Sequence, residues 1–506
     1  MKRLTGATAL ALCAVAAPAL AEVTPKQVWD DLEAYLEGFG YVVEATESTF
    51  GDKLTVTGIT IAMTMPETEE GGGDVTISMD EVTLTGRSDG SVTVTFPEQM
   101  PVAVDVTSEG EQVEMVIDYT HDALELIVSG DPDAMTYDYA ATSLAMVLGS
   151  LFVDGEEVTR DMARFEVAMG PLDGTSTVTR DGDTRSIAQD FTMGDIRYTA
   201  VANDPESGEG GTFAGSLRGV SMIGSTTLPE AVDMTDMQAA VAAGFAGSGT
   251  IGHQGGEMQF SVTEKAGTTS GQTSASSGYI SVGFTQDALT YALGGKGTSL
   301  SVTGPELPLP ISAEMAETKL AISLPLQPSG TPQPAALGLT LGGFAMSEML
   351  WNVFDPGAIL PRDPATVSLD LVAQVTPFVS LLDAQAMASL GDAPPGELNA
   401  LTLTGLVVEG AGGRITGSGD LTFDNTDLES FDGMPRPEGT ISLSVSGANG
   451  LIDKLIQMGI LAEDDAMGAR MMLSMFTVPS GTPDQMTSTI EFNDQGHVLA
   501  NGQRIK

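Results

Sequence analysis

Residues 54 to 65 read LTVTGITIAMTM, so that Ile59, Ile61, Met63 and Met65 alternate with Thr60 and Thr64. An apolar side chain at every second position, with threonine between, describes a strand with one face buried and the other wet; a helix would need a period of 3.6. The alternation returns at Val75, Ile77 and Met79, at Val92, Val94 and Phe96, and at Val102, Val104 and Val106. Asp89-Gly90 and Asp181-Gly182 stand between such runs as hairpin dipeptides. The pattern predicts a mainly β (α+β) chain of large antiparallel, repeat-like β-sheets with a few short covering helices.

A short phrase recurs at distant places: LTVTG at 54–58, VTLTG at 82–86, LSVTG at 300–304 and LTLTG at 401–405. Each reads as a strand ended by a glycine that permits the turn, without a strict period. AGTTSGQTSASSG at 266–278 has the composition of a flexible linker or long loop, which divides the chain into β-rich halves at 22–265 and 279–506. The proline-rich stretch from Pro325 to Pro334 reads as a turn of the chain. Thr24 before Pro25 starts a helix whose apolar face is Val28, Trp29, Leu32, Tyr35 and Leu36 and which stops at Gly38 and Gly40. Met237–Phe245, Ser347–Phe354, Gly450–Met458 and the methionine-rich stretch after residue 461 are further helix candidates.

Lys2 and Arg3 precede an uncharged apolar run, Leu10 to Ala17, that ends at Ala19-Leu20-Ala21. This is the plan of a signal peptide over 1–21 with cleavage before Glu22. Lipidation at Cys13 is disfavoured by Leu12, where a small residue is expected. The predicted location is periplasmic or secreted, in a Gram-negative type of envelope. No later stretch has the length of a membrane helix; the nearest, Ser143 to Val153, is too short and holds two glycines. Cys13 leaves with the leader, so the mature chain can form neither disulfide nor thiolate site. Removing Lys2 and Arg3 takes the formal charge from −48 to −50. A field of that sign repels nucleic acid and anionic headgroups, so no nucleic-acid partner is expected.

The residues offer little for catalysis. His121, His253 and His497 are far apart, and no G-x-S-x-G, Walker or H-E-x-x-H motif is present, so no catalytic residue, cofactor or metal is assigned. Asp420, Asp424, Asp427, Glu429 and Asp432 crowd together but lack the glycine of an EF-hand loop and read as a solvated loop. Methionine is the notable excess, 26 in all, with Met467, Met471, Met472 and Met475 beside Phe476. Those five are the candidate ligand-binding residues, read as lining a groove between sheet and helix, because unbranched thioethers fit irregular apolar ligands. Core filling is the alternative reading.

Trp351-Asn352-Val353-Phe354-Asp355-Pro356, then Leu360-Pro361-Arg362-Asp363-Pro364 and VSLDL at 367–371, resemble a family of secreted, acidic bacterial proteins known only as a domain of unknown function. GANGLIDKLIQMGIL at 447–461, Phe492-Asn493-Asp494-Gln495-Gly496-His497-Val498 and Asn501-Gly502 add to it. That resemblance implies no activity. A looser similarity, of long β repeats only, is to AsmA-type envelope proteins and implies lipid handling. The expected function is a non-enzymatic binding or envelope-maintenance protein holding an apolar ligand or lipid. A protein-interaction or assembly factor with an envelope partner, and a carboxylate-based hydrolase, stay open as alternatives.

Overall fold

The computed structural model describes residues 22–68, 71–108, 111–229, 236–391 and 393–506. The predicted signal peptide, residues 1–21, lies outside the described residues. The strands join a single antiparallel sheet, the mainly β class that the alternation predicts. Its order is simple once collinear strands are taken together. Eight times in succession the chain runs through two strands separated by one to three residues, as in Ala163–Met169 with Leu172–Asp181, Thr184–Met193 with Ile196–Asn203, and Gly267–Ala275 with Ser277–Phe284. Both halves of each such pair bond to both halves of the next. The molecule is therefore an up-and-down meander of long strands, eight of them interrupted near the middle, so that these interruptions form a crease across that part of the sheet.

At the crease the apolar phase slips by one residue. Phe191 and Met193 give way to Ile196 and Tyr198, Val167 and Met169 to Leu172 and Gly174, and Leu293 and Gly295 to Thr298 and Leu300. Neighbouring interruptions bond to each other, Gly170 N to Asp195 O at 2.8 Å, Gly194 N to Pro171 O at 2.7 Å, and Arg218 N to Gly255 O at 2.8 Å. The backbone groups freed from the ladder thus find partners in the crease itself. Farther along, the slip falls at Gly297 and Gly343, whose φ values of 56° and 66° lie in the left-handed region that glycine enters most cheaply.

The stretch 266–278 is a correction. It is strand and not linker: Gly267–Ala275 pairs on both sides, and Ser277–Phe284 continues it beyond the crease. Its small residues are required by packing, since a Cβ on Gly271 would lie 2.5 Å from the Phe260 ring. The sheet runs unbroken from one predicted half into the other. The repeated phrase is also corrected in part. Gly86 and Gly304 do end strands, whereas Gly58 and Gly405 sit inside strands at register shifts, where an extra residue is accommodated. The run Ser143–Val153 is a strand, and no helix among the described residues is long and apolar enough to cross a membrane.

Six helices are described: α1 Pro25–Gly38, α2 Met237–Ala242, α3 Glu348–Phe354, α4 Ala384–Ser389, α5 Ala448–Gln457 and α6 Glu463–Phe476. α1 opens with a reciprocal cap, Gln27 N donating to Thr24 Oγ1 at 3.3 Å and Thr24 N donating to Gln27 Oε1 at 2.9 Å. It lies on the first strands, where Val28 and Trp29 join Leu54, Val56, Leu84, Val94 and Leu126 in the main core. A small second core gathers Leu228, Ala240, Val241 and Phe245 under α2. Much of the remaining sheet is a single layer.

The crease predicts its own test. Gly343→Val forces a branched residue into the left-handed region, with its Cβ 2.7 Å from that of Ala316, and should cost about 2–3 kcal/mol in urea unfolding. Gly249→Ala, with open space at its Cβ, should stay within about 1 kcal/mol of the parent. Equal effects at the two glycines would show that the slip at Gly343 does not depend on glycine.

Candidate functional site

Following directly opposed residues from strand to strand gives a row that is bounded by Thr49 on the first strand and Ser488 near the C-terminus and runs between them through Leu54, Leu84, Val94, Leu126, Tyr139, Gly174, Phe191, Met222, Ile251, Ile280, Leu293, Leu320, Leu339, Leu369, Leu406, Gly417 and Leu443. Every member from Leu54 to Leu443 is apolar, aromatic or glycine. At about 4.8 Å between strands the row is roughly 75 Å long. The row on the opposite face reads Thr85, Thr93, Ile127, Asp138, Thr175, Asp190, Ile223, Thr250, Ser281, Ala292, Ala321, Gly338 and Asp370, which is small and mostly polar. Leu54 and Leu84 are sealed under α1, but Ile251 is 51% exposed and Ile280 44%. The apolar face is roofed at its start and open in the middle.

Under α1 the roofed part holds a cavity of about 470 Å³. Trp29, Leu32 and Leu36 of α1 form its roof. Leu126, Tyr139 and Leu172 line it from one arm of the creased sheet, and Tyr119 and Leu144 from the other. Both arms thus open their apolar faces into one space. A cavity of this size and lining is suited to an acyl chain or a similar apolar group.

One ionic cluster interrupts this surface. Asp31 of α1 is buried and accepts hydrogen bonds from Tyr137 Oη at 2.8 Å, from Arg185 Nη2 at 2.6 Å and from Arg180. Arg185 Nη1 also donates to the Asp31 carbonyl at 3.0 Å, and its guanidinium lies 5.0 Å from the centre of the Tyr35 ring. Burial, and then the Asp31 carboxylate beside it, push the Tyr137 hydroxyl well above the ordinary tyrosine range, so it stays a donor. The cluster pins α1 across the strands Leu172–Asp181 and Thr184–Met193. Sequence reasoning missed it because its partners are 149 and 154 residues from Asp31. A signal was present, since Arg180 and Arg185 occupy apolar-phase positions beside Val178 and Ile187 in a chain poor in basic residues.

The methionine site is corrected in its geometry. Met467, Met471, Met472, Met475 and Phe476 lie on α6, but the four methionines are 53–71% exposed, and so they face outward instead of lining a groove between helix and sheet or filling a core. The histidines are not brought together in function: His121 Nε2 meets the Phe96 carbonyl at 3.3 Å, and His253 Nδ1 accepts from Gly255 N at 3.3 Å. In the acidic loop, Arg436 donates to Asp424 and Asp427, each at 2.9 Å. The hydroxyls of Thr426 on Asp424 and Ser430 on Asp427, ahead of that guanidinium, hold both carboxyls below the usual range. Asp30, Glu33 and Glu47 converge within metal-binding distance, but Lys26 already sits on Asp30 at 2.6 Å and Glu47 at 2.8 Å.

The residues that carried the family resemblance build caps and turns. The Asp355 carboxylate accepts from Ile359 N and Leu360 N at 2.9 and 2.8 Å, while Arg362 donates to the Asp355 carbonyl and lies over Trp351. The Asp484 carboxylate likewise accepts from Asn449 N and Gly450 N at the start of α5, and Asn493 Oδ1 accepts from Gln495 N and His497 N.

Removing the carboxylate of Asp31 leaves guanidinium groups in an apolar setting. Asp31→Ala should lower the unfolding free energy by about 3–5 kcal/mol, and Tyr137→Phe by about 1 kcal/mol, in urea titrations followed by circular dichroism. A loss below about 1 kcal/mol for Asp31→Ala would mean that the guanidinium groups rehydrate and that α1 is held by its apolar face alone.

No family model matches this chain, and the comparisons with curated proteins and with solved structures yielded no similar protein.

Proposed function

We propose that this chain is an exported, non-enzymatic binding or envelope-maintenance protein that keeps an apolar ligand or lipid against the apolar face of its creased sheet. The observation that carries the reading is the unbroken row from Leu54 to Leu443, open to solvent at Ile251 and Ile280. Soluble monomers rarely leave a large contiguous apolar surface bare, because about 25 cal/mol is lost for every square ångström left in water. An occupant with flexible hydrocarbon chains would cover it without needing a fixed shape. The leader pattern and the cysteine-free mature chain support placement in the periplasm, where lipid must cross water between membranes.

The chemistry of the site supports the same reading over hydrolysis. The two carboxylates that are buried among the described residues, Asp31 and Asp355, are each saturated by donors within the fold. The apolar cavity under α1 is lined by aliphatic and aromatic side chains and Met79, with no acid among its described wall residues.

The test is native mass spectrometry of the mature chain purified from periplasm, with organic extraction of what accompanies it. A bound lipid or other apolar mass at fixed stoichiometry is expected. Ile251→Asp with Ile280→Asp should remove most of it while leaving the melting temperature near that of the parent, because both sites are already half in water. An apo mass under gentle conditions, or a bound mass that ignores the double substitution, would defeat this reading.

A further inference from the structure

The outer face of α6 is a second apolar surface, of different shape and different surroundings. Met467, Met471 and Met475 repeat every fourth residue and so stack along one side of the helix, with Met472 at their flank. The stripe spans about 12 Å of helix axis. Ile460 before α6 and Val478 after it are exposed as well. The side is convex and formed by a single helix, so it encloses no volume for a free lipid tail and suits a second helix laid against it.

Charge decides which kind of helix. Glu463, Asp464 and Asp465 fill the first turn of α6, and Asp464 falls on the methionine side, one turn before Met467. Arg470 points elsewhere, paired with Asp453. The apolar stripe is therefore bordered by acid, on a chain whose formal charge is −48. Such a border repels phosphate headgroups and acidic partners and attracts lysine and arginine. Unbranched methionine side chains adapt to whatever apolar residues arrive between those charges.

We propose that the methionine face of α6 docks a cationic amphipathic helix of a partner protein. The probe is a fluorescein-labelled 14-residue helical peptide with a leucine stripe and lysines elsewhere, titrated against the full mature chain at physiological salt and read by anisotropy. The expected result is saturable binding that weakens at least about tenfold when Met467, Met471, Met472 and Met475 are all changed to glutamine, and that survives their change to leucine. Both variants alter exposed side chains and should melt like the parent. Oxidation by hydrogen peroxide, which transfers one oxygen to each thioether and releases water, should weaken the parent chain and leave the leucine variant unaffected. Equal binding by the glutamine variant would overturn the proposal, since charge alone would then hold the peptide. So would equal binding of a leucine–glutamate peptide, or methionine-dependent capture by phosphatidylcholine vesicles in its place.

Discussion

The constraint on which the structure depends is the parity of a β-strand. Side chains alternate, so a long strand that bends keeps its apolar residues on one side only if the count slips by one at the bend. This chain makes that slip strand after strand: at Gly170-Pro171, at Gly194, at Arg218-Gly219, at Gln254-Gly255, and then at Gly297 and Gly343. Because neighbouring slips bond to each other, the defect propagates as a crease and costs few unpaired backbone groups. Without it the apolar residues of one arm would face the opposite side from those of the other. With it, Tyr119 and Leu144 share a cavity with Tyr139 and Leu172.

A second layer over this sheet is mostly missing, which sets where stability and vulnerability lie. Burial concentrates under α1, with a smaller centre under α2, while the long strands after residue 288 depend chiefly on their own ladders and on cross-strand pairs such as Leu320 with Leu339 and Leu369 with Leu406. The ionic cluster around Asp31 belongs to the same logic. α1 is the main lid on the apolar face, and its lone buried carboxylate fixes it against two strands that hydrophobic contact alone would let it slide along. An apolar face held by a well-fixed lid at one end and bare at Ile251 and Ile280 leaves room for the proposed ligand, which would stabilise the fold by mass action.

Much of this was legible in the sequence. Alternation gave the strands and their faces, Thr24-Pro25 gave the first helix, and the apolar positions of α1 gave the side that packs. The crease was not legible, because a slip of one residue looks like noise in any single strand and becomes meaningful only when its neighbours slip at the same height. The stretch at 266–278 misled for a related reason. Thr, Ser and Gly in water make a linker, but in a sheet they are the polar face of a strand and the gap beneath Phe260. Asp31, Arg180 and Arg185 were unreadable as a group, since nothing local joins residues about 150 positions apart.

The acidic charge then acquires a structural meaning. An open apolar face invites a second copy of the same chain to cover it, and a long first strand, Val42–Phe50, has among the described residues one unpaired edge that serves the same purpose. The opposing device is electrostatic: two copies of a chain with formal charge −48 repel before their apolar faces meet, whereas a neutral hydrocarbon chain feels no such barrier. Under the proposed lipid-holding role, such a surface needs no lock for its ligand, only a charge that every competing acidic protein shares. The same field that guards the sheet also ranks what can approach α6, favouring a basic segment over a phosphate-bearing surface.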